Sequence, residues 1–127
     1  MNREYLKGDR EQQRAYSRAV KVKGGTTIYL AGVGGVTGSG GTSHDFAGQT
    51  RNAFDRIRQN LADAGGRLDD ITTMTVFITD ARYGDEFVKI RKEFFSGDYP
   101  CSALITVAGL ARPEMLVEIQ AIAVLDT

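Results

Sequence analysis

Several residue types that mark particular protein classes are scarce in this chain. Cys101 is the only cysteine and His44 the only histidine among 127 residues. A single cysteine excludes an internal disulfide and suits a reducing compartment. A lone histidine without a second ligand at the right spacing is a poor basis for a metal site. We therefore expect no bound metal, and we interpret His44 as a surface or capping residue.

An excess of charge of one sign is also missing. Lys plus Arg and Asp plus Glu both number 16, so the formal net charge is zero, and the two signs are interspersed. This composition gives no electrostatic basis for binding nucleic acid or an anionic membrane. No apolar run is long enough to cross a bilayer, and the first ten residues lack the hydrophobic region of a signal peptide. We expect one cytoplasmic domain.

The hydrophobic pattern predicts the element order β-β-α-β-α-β-β. Residues 1–14 show neither helical nor strand periodicity, so we expect an irregular lead-in there. Strands are predicted at 17–23, 26–31, 71–79, 101–107 and 115–125, and helices at 45–64 and 83–94. The first two strands flank Gly24 and Gly25, which is typical of a hairpin.

The segment before the first helix is rich in glycine. Residues 32–43 read G-V-G-G-V-T-G-S-G-G-T-S. Gly32 and Gly34 begin a G-x-G-x-x-G pattern, but position 37 is a threonine, and no Gly-Lys-Ser/Thr follows for a P-loop. The imperfect motif favours a flexible connection over a phosphate-binding loop.

The predicted order implies an α+β sheet with two helices on one face. The other face is too apolar to be left wholly in water, since it carries Thr73, Thr75, Phe77, Leu116, Glu118 and Ile122. We therefore predict that the sheets of several copies of the chain contact one another.

The last predicted strand, M-L-V-E-I-Q-A-I-A-V-L at 115–125, holds one carboxylate, Glu118. Three interpretations are open: a solvated residue, a structural glutamate bonded to backbone N–H groups, or a catalytic acid or base. A carboxylate on a partly apolar face is costly to bury unless it has a partner, a water-filled cavity or a chemical role.

Long stretches of the chain resemble the Rid (YjgF-type) enamine/imine deaminase family. They include Y-S-R-A-V-K-V at 16–22, I-Y-L-A-G at 28–32, A-G-Q-T-R at 47–51, and the segments 68–80 and 107–124. The resemblance implies a chorismate-mutase-like α+β fold, related to the ferredoxin-like fold. It also implies a homotrimer with a central β-barrel and ligand clefts between subunits.

The same resemblance implies a chemistry and a set of site residues. Family members with the activity hydrolyse reactive 2-imino or 2-enamino acids, such as 2-aminoacrylate, to the keto acid and ammonia, a form of metabolite damage control without a cofactor. Glu118 matches the glutamate that positions the attacking water, and the backbone carbonyl of Leu104 has a similar role. Tyr16 matches a tyrosine that helps to close the cleft. Gly32 and Cys101 are expected among the substrate-binding residues.

One position departs sharply from the family pattern. The arginine that binds the substrate carboxylate is replaced by Ser102, two places after Pro100. A hydroxyl offers one neutral donor, and losing a charge-assisted pair in a cleft costs about 2 to 5 kcal/mol of binding. Arg112 either replaces the lost charge from another direction or is a solvated loop arginine. The asparagine often found in the second helix falls on Val88.

Two functions therefore remain open. The first is an imine or enamine hydrolase whose substrate is altered relative to 2-aminoacrylate-type acids. The second is a non-catalytic trimer that binds a small metabolite or a protein partner. Cys101 is also a conceivable nucleophile, but no histidine is positioned by sequence to activate it, and free cysteines are usually small buried apolar residues. A nuclease role has no support from the neutral charge.

Overall fold

The chain folds around a four-stranded sheet with helices packed on one face. The computed structural model describes residues 2–36 and 45–127. Within these ranges the strands are β1 (Asn2–Leu6), β2 (Ala19–Lys23), β3 (Thr26–Tyr29), β4 (Ile71–Ile78), β5 (Cys101–Thr106) and β6 (Val117–Leu125). The helices are α1 (Asp9–Gln13), α2 (Phe46–Asp63) and α3 (Gly84–Phe94).

The strand order of this sheet is β3-β6-β4-β5. Strand β6 runs antiparallel to both of its neighbours, whereas β4 and β5 are parallel. Parallel neighbours need a crossover connection, and α3 provides it between β4 and β5. The predicted helices and the strands from β4 onward are therefore confirmed, with differences of a few residues at their ends.

The core lies between the helices and one face of the sheet. Helix α2 buries Ala53, Ile57 and Leu61 on the stripe that the helical spacing predicts, and it also buries Phe54. Phe54 stacks on Phe94 of α3, with ring centroids 4.6 Å apart. Burying a large apolar side chain stabilises the fold by about 1.5 to 3 kcal/mol, so this layer holds the helices on the sheet. Val76 of β4 faces the same layer and is fully buried.

The opposite face of the sheet is partly exposed in one chain. Strand register pairs Thr75 with Gln120 and Phe77 with Glu118, so these side chains share that face. Tyr29 on β3 is 78% exposed and Ile105 on β5 is 41% exposed. We call this surface the open sheet face. Its contact with other copies stays a prediction.

Two sequence-based predictions for the first 31 residues are wrong. Residues 1–14 are not an irregular lead-in, because β1 and α1 lie there. Strand β1 is polar and has no apolar face, and distant contacts hold it: Arg3 donates hydrogen bonds to the carbonyls of Asp69, Asp70 and Val124 at 3.1, 3.2 and 2.7 Å.

The predicted hairpin is the second error. Strand β2 pairs with β1, from Ala19 opposite Leu6 to Lys23 opposite Asn2, whereas β3 pairs with β6. Gly24 and Gly25 have φ angles of 82° and 85°, a conformation that glycine adopts without strain. The two glycines therefore carry the chain from one sheet to another.

Part of the glycine-rich segment lies outside the described residues. The predictions of a flexible connection over 37–43 and of a surface role for His44 are therefore untested. The first part of the segment is held by β6, because Val33 and Ile119 exchange two backbone hydrogen bonds of 2.9 Å. None of the helices in the described ranges has the length and apolar character needed to cross a membrane.

Candidate functional site

Glu118 lies on the open sheet face beside a cavity of about 200 Å³. The backbone bonds between Val33 and Ile119 bring Gly32 against the Glu118 side chain. A Cβ atom added to Gly32 would lie 2.8 Å from Oε2 of Glu118, so the carboxylate occupies the space that a side chain would take. Gly32 and Glu118, both predicted from the sequence, therefore lie together.

The Glu118 carboxylate has no hydrogen bond or ion pair with any residue that the structure describes. The interpretation of Glu118 as a structural glutamate bonded to backbone N–H groups therefore has no support within those residues. The side chain is half-buried, which leaves it open to the cavity. A carboxylate in this setting is able to accept a proton from, or donate one to, a bound molecule.

Arg112 lines the same cavity as Glu118. Its guanidinium forms an ion pair of 2.6 Å with Glu114, and both side chains are about half exposed. Exposed pairs of this kind contribute little to stability, about 0 to 1 kcal/mol. In one chain Arg112 is therefore a neighbour of Glu118. It does not line the second cavity, described next, to which Ser102 belongs.

A second cavity, of about 250 Å³, lies where β5, α3 and the end of α1 meet. Its lining residues are Arg14, Tyr16, Val88, Arg91, Ser102 and Leu104. Three predicted site residues, Tyr16, Ser102 and Leu104, therefore lie here together with Val88. We call this space the Ser102 cavity.

The side chains of Ser102 and Glu118 lie on opposite faces of the sheet. Ser102 pairs with Met74, which is buried towards the helices, whereas Glu118 pairs with Phe77 on the open sheet face. Side chains of paired residues point to the same side of a sheet. Within one chain, the predicted site residues therefore form two separate groups, one around Glu118 and one around Ser102.

Cys101 belongs to neither group of cavity-lining residues. It precedes Ser102 on β5 and pairs with Thr73, so its side chain lies on the open sheet face. Its Sγ donates a hydrogen bond of 3.2 Å to the carbonyl of Thr72. Within the described ranges, no cluster of three or more His, Cys, Asp or Glu side chains is arranged to hold a metal ion.

Arg91 is a residue of the Ser102 cavity that the sequence interpretation missed. It lies on α3 and is only 2% exposed. Its Nη1 donates a hydrogen bond of 2.8 Å to the Ser102 hydroxyl, and Nη2 donates one of 3.1 Å to the Arg14 carbonyl. The guanidinium carbon also lies 5.0 Å from the centre of the Phe87 ring. A guanidinium thus reaches Ser102 from the helix.

The charge of Arg91 is not balanced by any described carboxylate. Burial, and secondly the positive charge of Arg14, lower the pKa of Arg91 to about 10, so the group is still cationic at neutral pH. Its Nε atom is buried and has no hydrogen-bond partner among the described residues. Arg14 forms an exposed ion pair of 2.7 Å with Asp85. The Ser102 cavity therefore carries an excess of positive charge.

Comparisons with known proteins agree on one family. The family model for Endoribonuclease L-PSP matches residues 9–125. A YjgF-family protein from Mycobacterium tuberculosis is 31% identical, with 98% of this chain and 100% of that chain covered and a TM-score of 0.72. RidA from an Antarctic Psychrobacter is 30% identical, with 87% and 88% covered and a TM-score of 0.75.

A Rid-family protein of unknown function from Yersinia pestis supports the fold alone, at 24% identity. It covers 98% of this chain and 100% of its own, with a TM-score of 0.84. The α+β architecture is the chorismate-mutase-like fold that the resemblance implied. With the family model matched over nearly the whole chain, this protein belongs to the Rid (YjgF-type) family.

Proposed function

We propose that this protein is an imine/enamine deaminase, which hydrolyses a small reactive imine or enamine to the corresponding carbonyl compound and ammonia. The observation that carries this proposal is the Glu118 carboxylate, which lines a cavity and has no described hydrogen-bond or ion-pair partner. Its substrate is bound differently from the usual 2-imino acids of the family, since Ser102 replaces the usual arginine.

We also propose that the site is completed between two copies of the chain in a homotrimer. Ser102 lies on the edge strand β5, whereas Glu118 lies on the open sheet face. If the open sheet face of one copy packs beside β5 of the next, Glu118 of one copy approaches Ser102 of the other. Packing would also cover Tyr29 and Ile105, whose exposure is costly for large apolar side chains.

The reaction requires few protein groups. Glu118 takes a proton from water as the oxygen attacks the carbon of the C=N bond, and the backbone carbonyl of Leu104 helps to orient that water. Glu118 returns the proton to nitrogen, which gives a carbinolamine with one hydroxyl and one amino group. Glu118 then carries the hydroxyl proton to nitrogen, the C=O bond forms, the C–N bond breaks and ammonia leaves. An enamine is first protonated on carbon and loses a proton from nitrogen, which gives the imine. No metal or organic cofactor takes part.

The family model's description as an endoribonuclease gives no reason to propose RNA as the substrate. The formal net charge is zero, so there is no electrostatic footprint for a polyanion. Cys101, the single cysteine, suits a reducing compartment, and a cytoplasmic location is part of the proposal.

The test is the hydrolysis of freshly generated 2-aminoacrylate and of a related imine without a carboxylate. We expect the protein to release ammonia faster than the uncatalysed reaction for at least one of them, and Glu118→Ala to abolish that rate without changing the oligomer. If neither compound is hydrolysed faster than in buffer, the deaminase proposal fails. Saturable binding of a small metabolite without turnover would then favour the non-catalytic alternative.

A further inference from the structure

We infer that Arg91 on α3 is the anion anchor of the Ser102 cavity and that it binds the carboxylate of a small 2-imino or 2-oxo acid. The helix thereby supplies the guanidinium that β5 lacks. This inference rests on the proposed function for its reaction, but the anion site itself is measurable without turnover.

Arg91 carries a buried positive charge without a described counter-charge. An arginine that is 98% buried is normally paired with a carboxylate, because removing an ion from water is unfavourable. No described carboxylate pairs with Arg91, and the strongest charged neighbour is the like-charged Arg14. A bound anion would supply the missing counter-charge.

The Arg91 guanidinium is held in a fixed orientation within the protein. Its hydrogen bonds to the Ser102 hydroxyl and the Arg14 carbonyl fix the plane of the group. An arginine has five N–H donors, so these two bonds leave others free, including the buried Nε–H. A planar carboxylate accepts two such donors at once. Ser102 then acts as a positioning residue for Arg91, with no need to bind the carboxylate itself.

A purely structural role for Arg91 accounts for fewer of these observations than anion binding does. The contacts with Phe87, Ser102 and the Arg14 carbonyl would hold the helix against β5. They do not explain why Arg91 has no carboxylate partner or why its buried Nε donor is unsatisfied, since buried polar atoms almost always have a partner.

The size of the cavity limits the ligand. At about 250 Å³ it is close to the lower end of ligand pockets, which span about 300 to 1,000 Å³. Arg14, Tyr16, Val88 and Leu104 line the rest of its surface. A three- or four-carbon acid fits this volume, whereas a nucleotide is too large.

The experiment is calorimetric titration of the intact protein with pyruvate and with its neutral analogue, pyruvamide. We expect pyruvate to bind at least about 30-fold more tightly than pyruvamide, because only pyruvate pairs with the guanidinium. Arg91→Met should remove this preference by weakening pyruvate alone. Arg82→Met is the matched control, since Arg82 is 90% exposed and lies outside the cavity, and it should bind pyruvate as the unmodified protein does.

Arg91→Lys covers the case in which Arg91→Met does not fold, because it keeps a long cationic side chain on α3, and at pH 6 it should still bind pyruvate more tightly than pyruvamide. In the double variant Arg91→Met with Ser102→Arg, β5 supplies the guanidinium, and the preference for pyruvate should return. Equal binding of pyruvate and pyruvamide by the unmodified protein would overturn the inference, as would full pyruvate affinity in a folded Arg91→Met variant. Inorganic phosphate that binds more tightly than pyruvate would overturn the carboxylate assignment.

The two proposals fail in different ways. Preferential pyruvate binding that depends on Arg91, without any imine hydrolysis, would leave the anion site intact and refute the deaminase. Hydrolysis of 2-aminoacrylate, which carries a carboxylate, with an unchanged KM in Arg91→Met would leave the deaminase intact and refute the anchor.

Discussion

The carboxylate of Glu118 lies directly against the bare Cα of Gly32. A Cβ atom at this position would be 2.8 Å from Oε2 and 3.1 Å from Cδ of Glu118. Gly32 has no positive φ angle, so the close approach of the glutamate, and not the backbone conformation, is what an added methyl group would disturb. A substitution at Gly32 therefore tests whether the position of the Glu118 carboxylate matters for the reaction.

Gly32→Ala is therefore expected to lower kcat for imine hydrolysis by about 10- to 100-fold. The added methyl group pushes the glutamate away from its position, and a displacement of about 1 Å at a reacting group costs up to about 100-fold in rate. Thermal stability should change little, because Gly32 is exposed. Steady-state kinetics and a melting curve measure the two effects.

Gly109→Ala provides the matched control, since no atom lies within 4 Å of a Cβ added there. That variant should keep the unmodified rate. A Gly32→Ala protein with normal kcat would show that the position of Glu118 over Gly32 does not matter for the reaction.

Glu118→Gln tests the proton transfer itself. Glutamine keeps the shape of the side chain but cannot exchange a proton, so kcat should fall by about 10²- to 10⁴-fold. Oligomer mass and pyruvate binding should remain unchanged, because neither depends on the proton. A variant that retains more than a tenth of the rate would remove Glu118 from the proposed mechanism.

The strongly periodic parts of the fold could be predicted from the sequence. The stripe of Ala53, Ile57 and Leu61 and the alternation of Met74, Val76 and Ile78 are local patterns, and the structure buries all six side chains. Strand β1 could not be predicted in this way. Its place depends on Arg3, whose carbonyl partners lie 66 to 121 residues further along the chain.

The residues of the candidate site could be predicted only where a local feature of the sequence indicates a role. Glu118 is the single carboxylate in an apolar strand, and the strand period correctly assigns its face. Arg91 was missed because its contacts with Ser102 and with the Arg14 carbonyl, 11 and 77 residues away, form only when the chain has folded. The available signal was spacing, since Arg91 follows Phe87 by four residues and so lies on the buried side of α3.

A charge placed on the open sheet face should prevent assembly. Thr75 lies in the middle of this face, between Gln120 on β6 and Ala103 on β5. Thr75→Arg would bring like charges together in a dry interface, which is strongly unfavourable. We expect the mass in solution, measured by light scattering, to fall from that of three chains to that of one, with loss of hydrolysis.

Ala62→Arg is the control for this experiment, because Ala62 is exposed on α2 and lies away from the sheet. It should assemble normally. An unmodified protein that is monomeric at micromolar concentration, or a Thr75→Arg protein that still forms trimers, would contradict the proposed assembly.

The pH dependence of pyruvate binding distinguishes an arginine anchor from a lysine. Arg91 has a pKa of about 10, so it stays cationic and its affinity for pyruvate should be constant between pH 6 and pH 9. In Arg91→Lys, the same burial and the same charge on Arg14 would lower the pKa of the lysine from about 10.4 by up to about 3 to 5 units.

The direction of the pH dependence follows from the protonation state that pyruvate binding requires. The lysine must be protonated to bind a carboxylate, so in Arg91→Lys the affinity should fall as pH rises from 6 to 9. Calorimetry at four pH values measures this, and Arg82→Lys is the control for other titrating groups, including the nearby Tyr16 and Tyr99. A flat profile for Arg91→Lys, or a falling profile for the unmodified protein, would show that residue 91 does not carry the charge that binds pyruvate.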